Sequence, residues 1–366
     1  MYQRKKEENL ELNSREASEG RTELESLPIS LYVDINLKCN LRCPHCHRAD
    51  PRQGGKLWPT LDYSTFEKVA RALFPTAYRV NLSGGGESLI HRDFDRMLET
   101  CLHYETYPVL YTNGSALNRK RAVLLARSGT YLGISMDGAS RQTFERTRYP
   151  AKWKRMLKSL ELIRQVRRDV GNPDFFPYLQ VVIQRENVGE LPAFVDLARQ
   201  FELELVKFAN LYPHFDELHE MVADAESAAA SLAGALKRAN RAGIRLEIPD
   251  YGETSVSSLI AALREENASF PTSLDKSRSG RYVSGGFVKY PDFRSIRCGI
   301  PWSESMITPE GKVVVGCCSQ YQLGDLAEKS FTEIWNDRGY RELRRTVNSN
   351  EPMFFCRPRH ICPFRL

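Results

Sequence analysis

Nine cysteines lie in this 366-residue chain, and three of them fall in one short run, Cys39-Asn40-Leu41-Arg42-Cys43-Pro44-His45-Cys46-His47. Three thiolates at these spacings can wrap one compact metal centre, and thiolate ligands select zinc or iron–sulfur clusters. With His45 or His47 as fourth ligand the set is a Cys₃His zinc site. Without it, three ligands leave a cubane cluster one iron short, and the open iron is a place for a small molecule to coordinate. Spacing alone leaves both readings open. A second group, Cys298, Cys317, Cys356 and Cys362, has gaps of 18, 38 and 5 residues. Four such thiolates can ligate a further cluster, whereas a zinc ribbon pairs its ligands at shorter spacing. Cys318 adjoins Cys317 and can replace it, or remain a free thiol. Cys101, among Leu98 and Leu102, reads as a small buried hydrophobe.

The elements that position these residues follow from periodicity. Short apolar runs at Ser30–Ile35, Arg79–Ser83, Pro108–Thr112, Tyr131–Met136, Tyr178–Ile183 and Leu205–Asn210 alternate with helical patterns at Tyr63–Leu73, Phe94–His103, Lys120–Ser128, Arg141–Tyr149, Ala151–Val170 and Gly189–Phe201. Six βα units in sequence predict an α/β fold, a partial (β/α)6 TIM-like barrel over residues 29–250, with its chemistry in the loops after the strands. Asp224–Gly243 and Ile244–Pro249 add a helix and a strand. Residues 1–28, polar and almost without aromatics, read as a flexible charged arm with room for one marginal helix. Residues 251–293, with serine and glycine clusters, read as a linker or substrate-covering segment. Residues 294–366 form a small α+β cluster domain with one helical run, Phe331–Val347.

The cysteine run, directly after the first strand, resembles the CxxxCxxC signature of radical S-adenosylmethionine (radical SAM) enzymes. Asn81-Leu82-Ser83-Gly84-Gly85-Gly86-Glu87-Ser88, after the second strand, is similar to that family's GGEP motif, with Ser88 in place of proline. Tyr111-Thr112-Asn113-Gly114 and Ser135-Met136-Asp137-Gly138, after the third and fourth strands, match its further strand-end motifs. The resemblance implies that Cys39, Cys43 and Cys46 bind three irons of a [4Fe-4S] cluster whose fourth iron is chelated by SAM. It also implies that reduction yields a 5′-deoxyadenosyl radical. Glycines at 84–86 let backbone approach a ligand without a Cβ in the way. Glu87, Asn113, Ser135 and Arg148 are the other candidates for holding SAM, Glu87 as acceptor for its amino group and Arg148 as partner of a carboxylate. Pro301-Trp302, Ile307-Thr308-Pro309-Glu310-Gly311, Cys317-Cys318, Gly324-Asp325-Leu326 and Glu333-Ile334-Trp335-Asn336 resemble the SPASM/twitch extension of the same superfamily. That implies a second, auxiliary [4Fe-4S] cluster on Cys298, Cys317, Cys356 and Cys362.

The functional expectation is hydrogen-atom abstraction from a carbon of a small polar substrate, a sugar or aminocyclitol in antibiotic biosynthesis, ending in dehydrogenation or epimerisation. Cys318 is the candidate hydrogen-atom donor for an epimerase, and Gln184 and Arg185, after the fifth strand, are candidate substrate contacts. Tyr212, His214 and His219 follow the sixth strand and read more readily as a solvated loop. A reducing partner such as flavodoxin or ferredoxin is expected. The alternative is a radical SAM maturase of a ribosomally made peptide. A zinc-bearing regulatory protein is the remote one. The net charge of +6 suits an anionic ligand but falls short of a nucleic-acid binder. No apolar run is long enough for a membrane span, and the charged N-terminus is not a signal peptide, so a cytoplasmic location is expected.

Overall fold

Apolar runs separated by amphipathic stretches fold into parallel strands joined by helices, in a computed structural model that describes residues 1–53, 58–213, 215–270, 298–316, 319–349, 351, 353 and 356. β1 (Ser30–Val33), β2 (Arg79–Asn81), β3 (Tyr107–Thr112), β4 (Tyr131–Ser135), β5 (Phe176–Ile183), β6 (Leu205–Asn210) and β7 (Arg245–Glu247) are the parallel strands. Between them come α2 (Tyr63–Leu73), α3 (Phe94–His103), α4 (Arg119–Arg127), α5 (Arg141–Thr147), α6 (Trp153–Val170), α7 (Leu191–Gln200) and α8 (Ala225–Ala242). The class is the predicted one, α/β with parallel strands. Helix α2 shows why periodicity found it: Phe66, Val69, Ala70 and Leu73 form one buried stripe. Helix α8 is bounded by its caps. Asp224 accepts the Ser227 N–H at 2.8 Å, and Gly243 ends the helix at φ 67°, a left-handed conformation that a Cβ would strain.

The chain divides into two compact units. The first comprises residues 1–38, 58–110 and 281–366. It adds β8 (Glu304–Ile307), β9 (Lys312–Gly316) and β10 (Ser319–Asp325), in the strand order β10-β9-β8-β1-β2-β3, with β3 counted to Leu110. β8 runs parallel to β1, with Ser30 opposite Glu304, and β9 and β10 are antiparallel additions. The second unit comprises residues 39–57 and 111–280. Its strands β4-β5-β6-β7 are all parallel, and their register sets Ser135 beside Gln180, Gln180 beside Lys207 and Lys207 beside Glu247.

Several segment readings change in the folded chain. Tyr2–Ser18 form a helix, α1, where a flexible arm with at most a marginal helix was expected. Besides Ala17, its buried residues are Lys6, Asn9, Asn13 and Glu16, which lie on one helical face and dock it largely by hydrogen bonds. Lys6 Nζ donates to the carbonyls of Phe74 and Ala77, each at 2.6 Å, and to Thr106 Oγ1 at 3.1 Å. Asn13 Nδ2 donates to the Trp302 carbonyl at 2.6 Å, and the Glu16 carboxylate accepts the N–H groups of Glu25 and Ser26. In the segment expected as a linker, Ser257–Ala268 form helix α9; residues 271–293 lie outside the described residues. The single run Phe331–Val347 is two helices, Phe331–Trp335 and Arg338–Thr346. They part because the Asp337 side chain accepts the Arg338 N–H at 2.7 Å and caps the second. β8 joins the first unit through its ladder with β1.

Candidate active site

The cysteine run belongs to the second unit, where it is fastened by short-range contacts. The Arg42 N–H donates to the Tyr149 carbonyl at 2.7 Å, and the Cys46 N–H to the Cys43 carbonyl at 3.1 Å. Each thiol has a nitrogen beside it. Asn113 Nδ2 lies 3.0 Å from Asn40 Oδ1 and 3.9 Å from Cys39 Sγ, Arg148 Nη1 lies 4.0 Å from Cys43 Sγ, and His47 Nδ1 lies 3.8 Å from Cys46 Sγ. Burial pushes the Cys43 thiol up to about 11; Arg148 pulls it down, while Asp137 and the thiols of Cys46 and Cys39 push it further up. Such a thiol surrenders its proton readily only to a metal.

Behind the run stands a buried ionic network. Asp137, two residues beyond β4 and fully buried, has Oδ2 2.6 Å from Arg148 Nε and 3.1 Å from His45 Nε2, while Oδ1 accepts the Val182 N–H at 2.8 Å. Burial alone would raise this carboxyl. The Arg148 charge and the His45 contact overcome that and hold it down at about 2. Arg148 is driven the other way, to a permanently charged guanidinium, by Asp137 and Cys43 against its own burial. Gly138 lets the strand-end turn close: a Cβ there would stand 2.2 Å from the Phe144 backbone nitrogen. Sequence reasoning named Arg148 and missed Asp137; the available signal was an acid followed by glycine directly after a strand.

In the first unit the glycine loop closes on the segment after β1. A Cβ on Gly84 would meet the Asp34 carboxyl at 1.8 Å, and one on Gly86 would meet the Asn36 carbonyl oxygen at 2.2 Å and that of Lys38 at 2.4 Å. Asp34 Oδ2 accepts the Gly85 N–H at 3.1 Å, and burial raises the Asp34 pKa. Glu87 is committed to the turn. Its N–H donates to the Lys38 carbonyl at 2.8 Å, its own carbonyl accepts Asn36 Nδ2 at 2.8 Å, and Oε1 accepts the Leu89 N–H at 3.2 Å.

The remaining candidates separate sharply. Gln184 is 0 % exposed, and neither its Oε1 nor its Nε2 has a hydrogen-bond partner, a state that a bound ligand would relieve. Ser135 is half-buried at the end of β4. Arg185 and His219 are exposed, as is Tyr212, and His214 lies outside the described residues. Cys101 is fully buried, which raises its thiol as a core hydrophobe's would be. Cys298 is clamped by Asn348, whose Oδ1 accepts the Cys298 N–H at 2.9 Å and whose Nδ2 donates to the Cys298 carbonyl at 3.1 Å. Cys356 packs on the Val315 and Leu343 cluster. Cys317, Cys318 and Cys362 lie outside the described residues.

This donor set fits an iron–sulfur cluster with a chelating ligand: three thiols in one loop, with nitrogen donors beside them. Among the described residues no three His, Cys, Asp or Glu side chains form the ligand set of a single ion. Comparison with known proteins agrees. Residues 34–198 match the radical SAM superfamily, and residues 298–363 match the SPASM iron–sulfur cluster-binding domain. The chain is a radical SAM protein with a C-terminal SPASM domain. Its cofactors are accordingly a [4Fe-4S] cluster with SAM, and auxiliary iron–sulfur in the C-terminal domain.

Among similar proteins, the mycofactocin maturase MftC of Mycobacterium ulcerans (strain Agy99) is 28% identical over 204 residues, which is 54% of this chain and 52% of that protein. The PqqA peptide cyclase of Methylobacterium sp. (strain 4-46) is 24% identical over 357 residues, 90% of this chain and 78% of the relative. This chain thus spans about half the length of the first and most of the second. Among solved structures, Streptococcus suis SuiB bound to S-adenosylmethionine superposes with a TM-score of 0.60 at 16% identity, over 89% of this chain and 69% of that one, a likeness of fold. No helix among the described residues is long and apolar enough to cross a membrane.

Proposed function

We propose that this chain is a maturase that modifies a ribosomally made peptide by abstracting a hydrogen atom from one of its carbons. The observation that carries the reading is the PqqA peptide cyclase match, which runs through both domains and covers 90% of this chain. The SuiB fold has also been seen bound to its precursor peptide SuiA. The sugar or aminocyclitol expectation finds no support in these relatives, and neither does the epimerase reading.

In this proposal Cys39, Cys43 and Cys46 hold the first cluster, and Cys298 and Cys356 belong to the auxiliary set. When bound, the cluster and SAM supply a 5′-deoxyadenosyl radical. The protein's own part is positional. Gly84 and Gly86 let the glycine loop pack on Asp34, Asn36 and Lys38, Arg148 keeps a fixed positive charge beside Cys43 for a carboxylate, and the orphaned Gln184 amide offers donors at Nε2 and an acceptor at Oε1. Anaerobically reconstituted protein, given SAM, a reductant and candidate precursor peptides, is expected to form 5′-deoxyadenosine faster with one peptide than with none, and to change that peptide's mass. Stimulation by a free sugar or aminocyclitol, with every peptide inert, would overturn the reading.

A further inference from the structure

Parallel strands covered on both faces ordinarily carry apolar side chains on both. One face of β4–β7 obeys this. Ile134, Leu179, Val206 and Leu246 stand side by side across it, all buried. The opposite face departs from it at one register position. The next register position sets Ser135, Gln180, Lys207 and Glu247 in one row across the four strands, all half-buried. Lys207 Nζ lies 2.7 Å from Glu247 Oε2, with the two side chains 23% and 30% exposed, and Gln180 Nε2 lies 3.5 Å from the Lys207 carbonyl. One pleat back along the strands, the same face carries Gly133, Tyr178, Leu205 and Arg245, with Tyr178 and Leu205 buried. Beneath them Tyr131 and Phe176 stack at 5.7 Å and an interplanar angle of 5°.

Folding does not ask for this row. A partly desolvated ion pair contributes little stability over an apolar pair of similar volume, and four polar side chains at one register position give up apolar contact that the opposite face keeps. Among the strand residues of this face, two positive charges, Lys207 and Arg245, stand against the single negative charge of Glu247. Glu247 is neutralised by Lys207, and Lys207 has two ammonium protons beyond the one it gives to Glu247. The Gln180 amide and the Ser135 hydroxyl can each donate. An incoming cation would have to displace Lys207 from Glu247 on a face that also carries Arg245. An incoming carboxylate adds to Lys207 and leaves the pair intact.

We propose that the row Ser135–Gln180–Lys207–Glu247 is a binding site for a carboxylate-bearing residue of the substrate, with Lys207 as its cationic anchor and Glu247 as the group that holds Lys207 in place. The inference rests on the peptide reading above and names the side-chain class that the peptide presents.

The test needs no turnover. Binding of N-acetylglutamate α-amide, N-acetylglutamine α-amide and N-acetyllysine α-amide to the full-length, cluster-loaded enzyme with SAM is measured by saturation-transfer NMR. Wild type is expected to bind the glutamate derivative roughly tenfold more tightly than the glutamine derivative. Lys207→Gln should lose that preference, and Lys207→Arg, which keeps charge and reach, should restore most of it. Equal binding of glutamate and glutamine derivatives, a preference for the lysine derivative, or a glutamate preference that survives Lys207→Gln would each overturn the proposal. Unchanged iron content in both variants guards against misfolding; if Lys207→Gln loses iron, the wild-type ligand series and Lys207→Arg decide. Failure of every peptide in the turnover assay would refute the maturase reading while leaving this carboxylate preference measurable on its own.

Discussion

Asp137→Asn removes one negative charge and almost no volume, which isolates what the buried network contributes. Asp137 is fully buried, and Arg148, 13% exposed, has its Nε 2.6 Å from Asp137 Oδ2. The asparagine can still accept the Val182 N–H through Oδ1. Opposite Arg148 and His45, however, it places a neutral amide where a carboxylate stood. Removing one partner of a buried pair costs roughly 3–5 kcal/mol, because the remaining charge is left unpaired in a poorly solvated site. For the apoprotein the lower end of that range is expected, since holding the carboxyl at about 2 in place of its ordinary 3.8 is worth only roughly 2–3 kcal/mol. In the cluster-loaded protein the anionic sulfurs beside Arg148 offset part of the loss. The assay is urea unfolding of apoprotein for wild type, Asp137→Asn, Arg148→Met and the double variant. The double variant should be more stable than the sum of the single losses implies, by well over 1 kcal/mol. A coupling below about 0.5 kcal/mol, the additivity expected of independent sites, would refute the claim that the two charges act as a unit.

Gly86→Ala should abolish tight SAM binding by calorimetry, because its Cβ would meet two backbone carbonyl oxygens, at 2.2 and 2.4 Å, that have no freedom to retreat; near-normal affinity would show that the loop is softer than it looks. Burial lowers the Lys6 ammonium to about 7, so folding releases its proton between about pH 7 and its ordinary value near 10.5. In that window the unfolded chain binds more protons, and stability should rise with pH by up to about 1.4 kcal/mol per unit. A flat profile, or a slope unchanged in Lys6→Met, would show that the three oxygens around Nζ keep the ammonium charged. Reconstituted wild type is expected to hold roughly eight irons per chain, and a Cys39→Ala, Cys43→Ala, Cys46→Ala triple variant roughly four. Stoichiometric zinc would reject the cluster assignment, and no iron in the triple variant would reject an independent auxiliary site.

Much of the chemistry was legible in the sequence because it is local. Cysteines separated by three and two intervening residues, glycines in a row and an Asn-Gly or Asp-Gly pair after a strand keep their relation however the rest of the chain folds. The parallel strands and their helices were legible too, since each helix displays its own apolar stripe, as Phe66, Val69, Ala70 and Leu73 do in α2. Helix α1 was legible only as a marginal one, because its buried face is chiefly Lys6, Asn9, Asn13 and Glu16, and a polar stripe carries no hydrophobic period to read. The acceptors that make its burial affordable, the carbonyls of Phe74, Ala77 and Trp302, come from distant segments.

The sequence by itself determined the metal chemistry, the family and the order of the βα units. Only the tertiary structure decided what stands beside those ligands. It set Arg148 between Asp137 and Cys43, brought His45 against Asp137 and left the Gln184 amide unpaired in a buried position. It also brought Ser135, Gln180, Lys207 and Glu247 into one row. The reason is physical: an ion pair or a strand register depends on which segments lie side by side, and that is fixed by the burial of the helix-covered faces of β4–β7, a property of the whole unit that no single stretch of chain records.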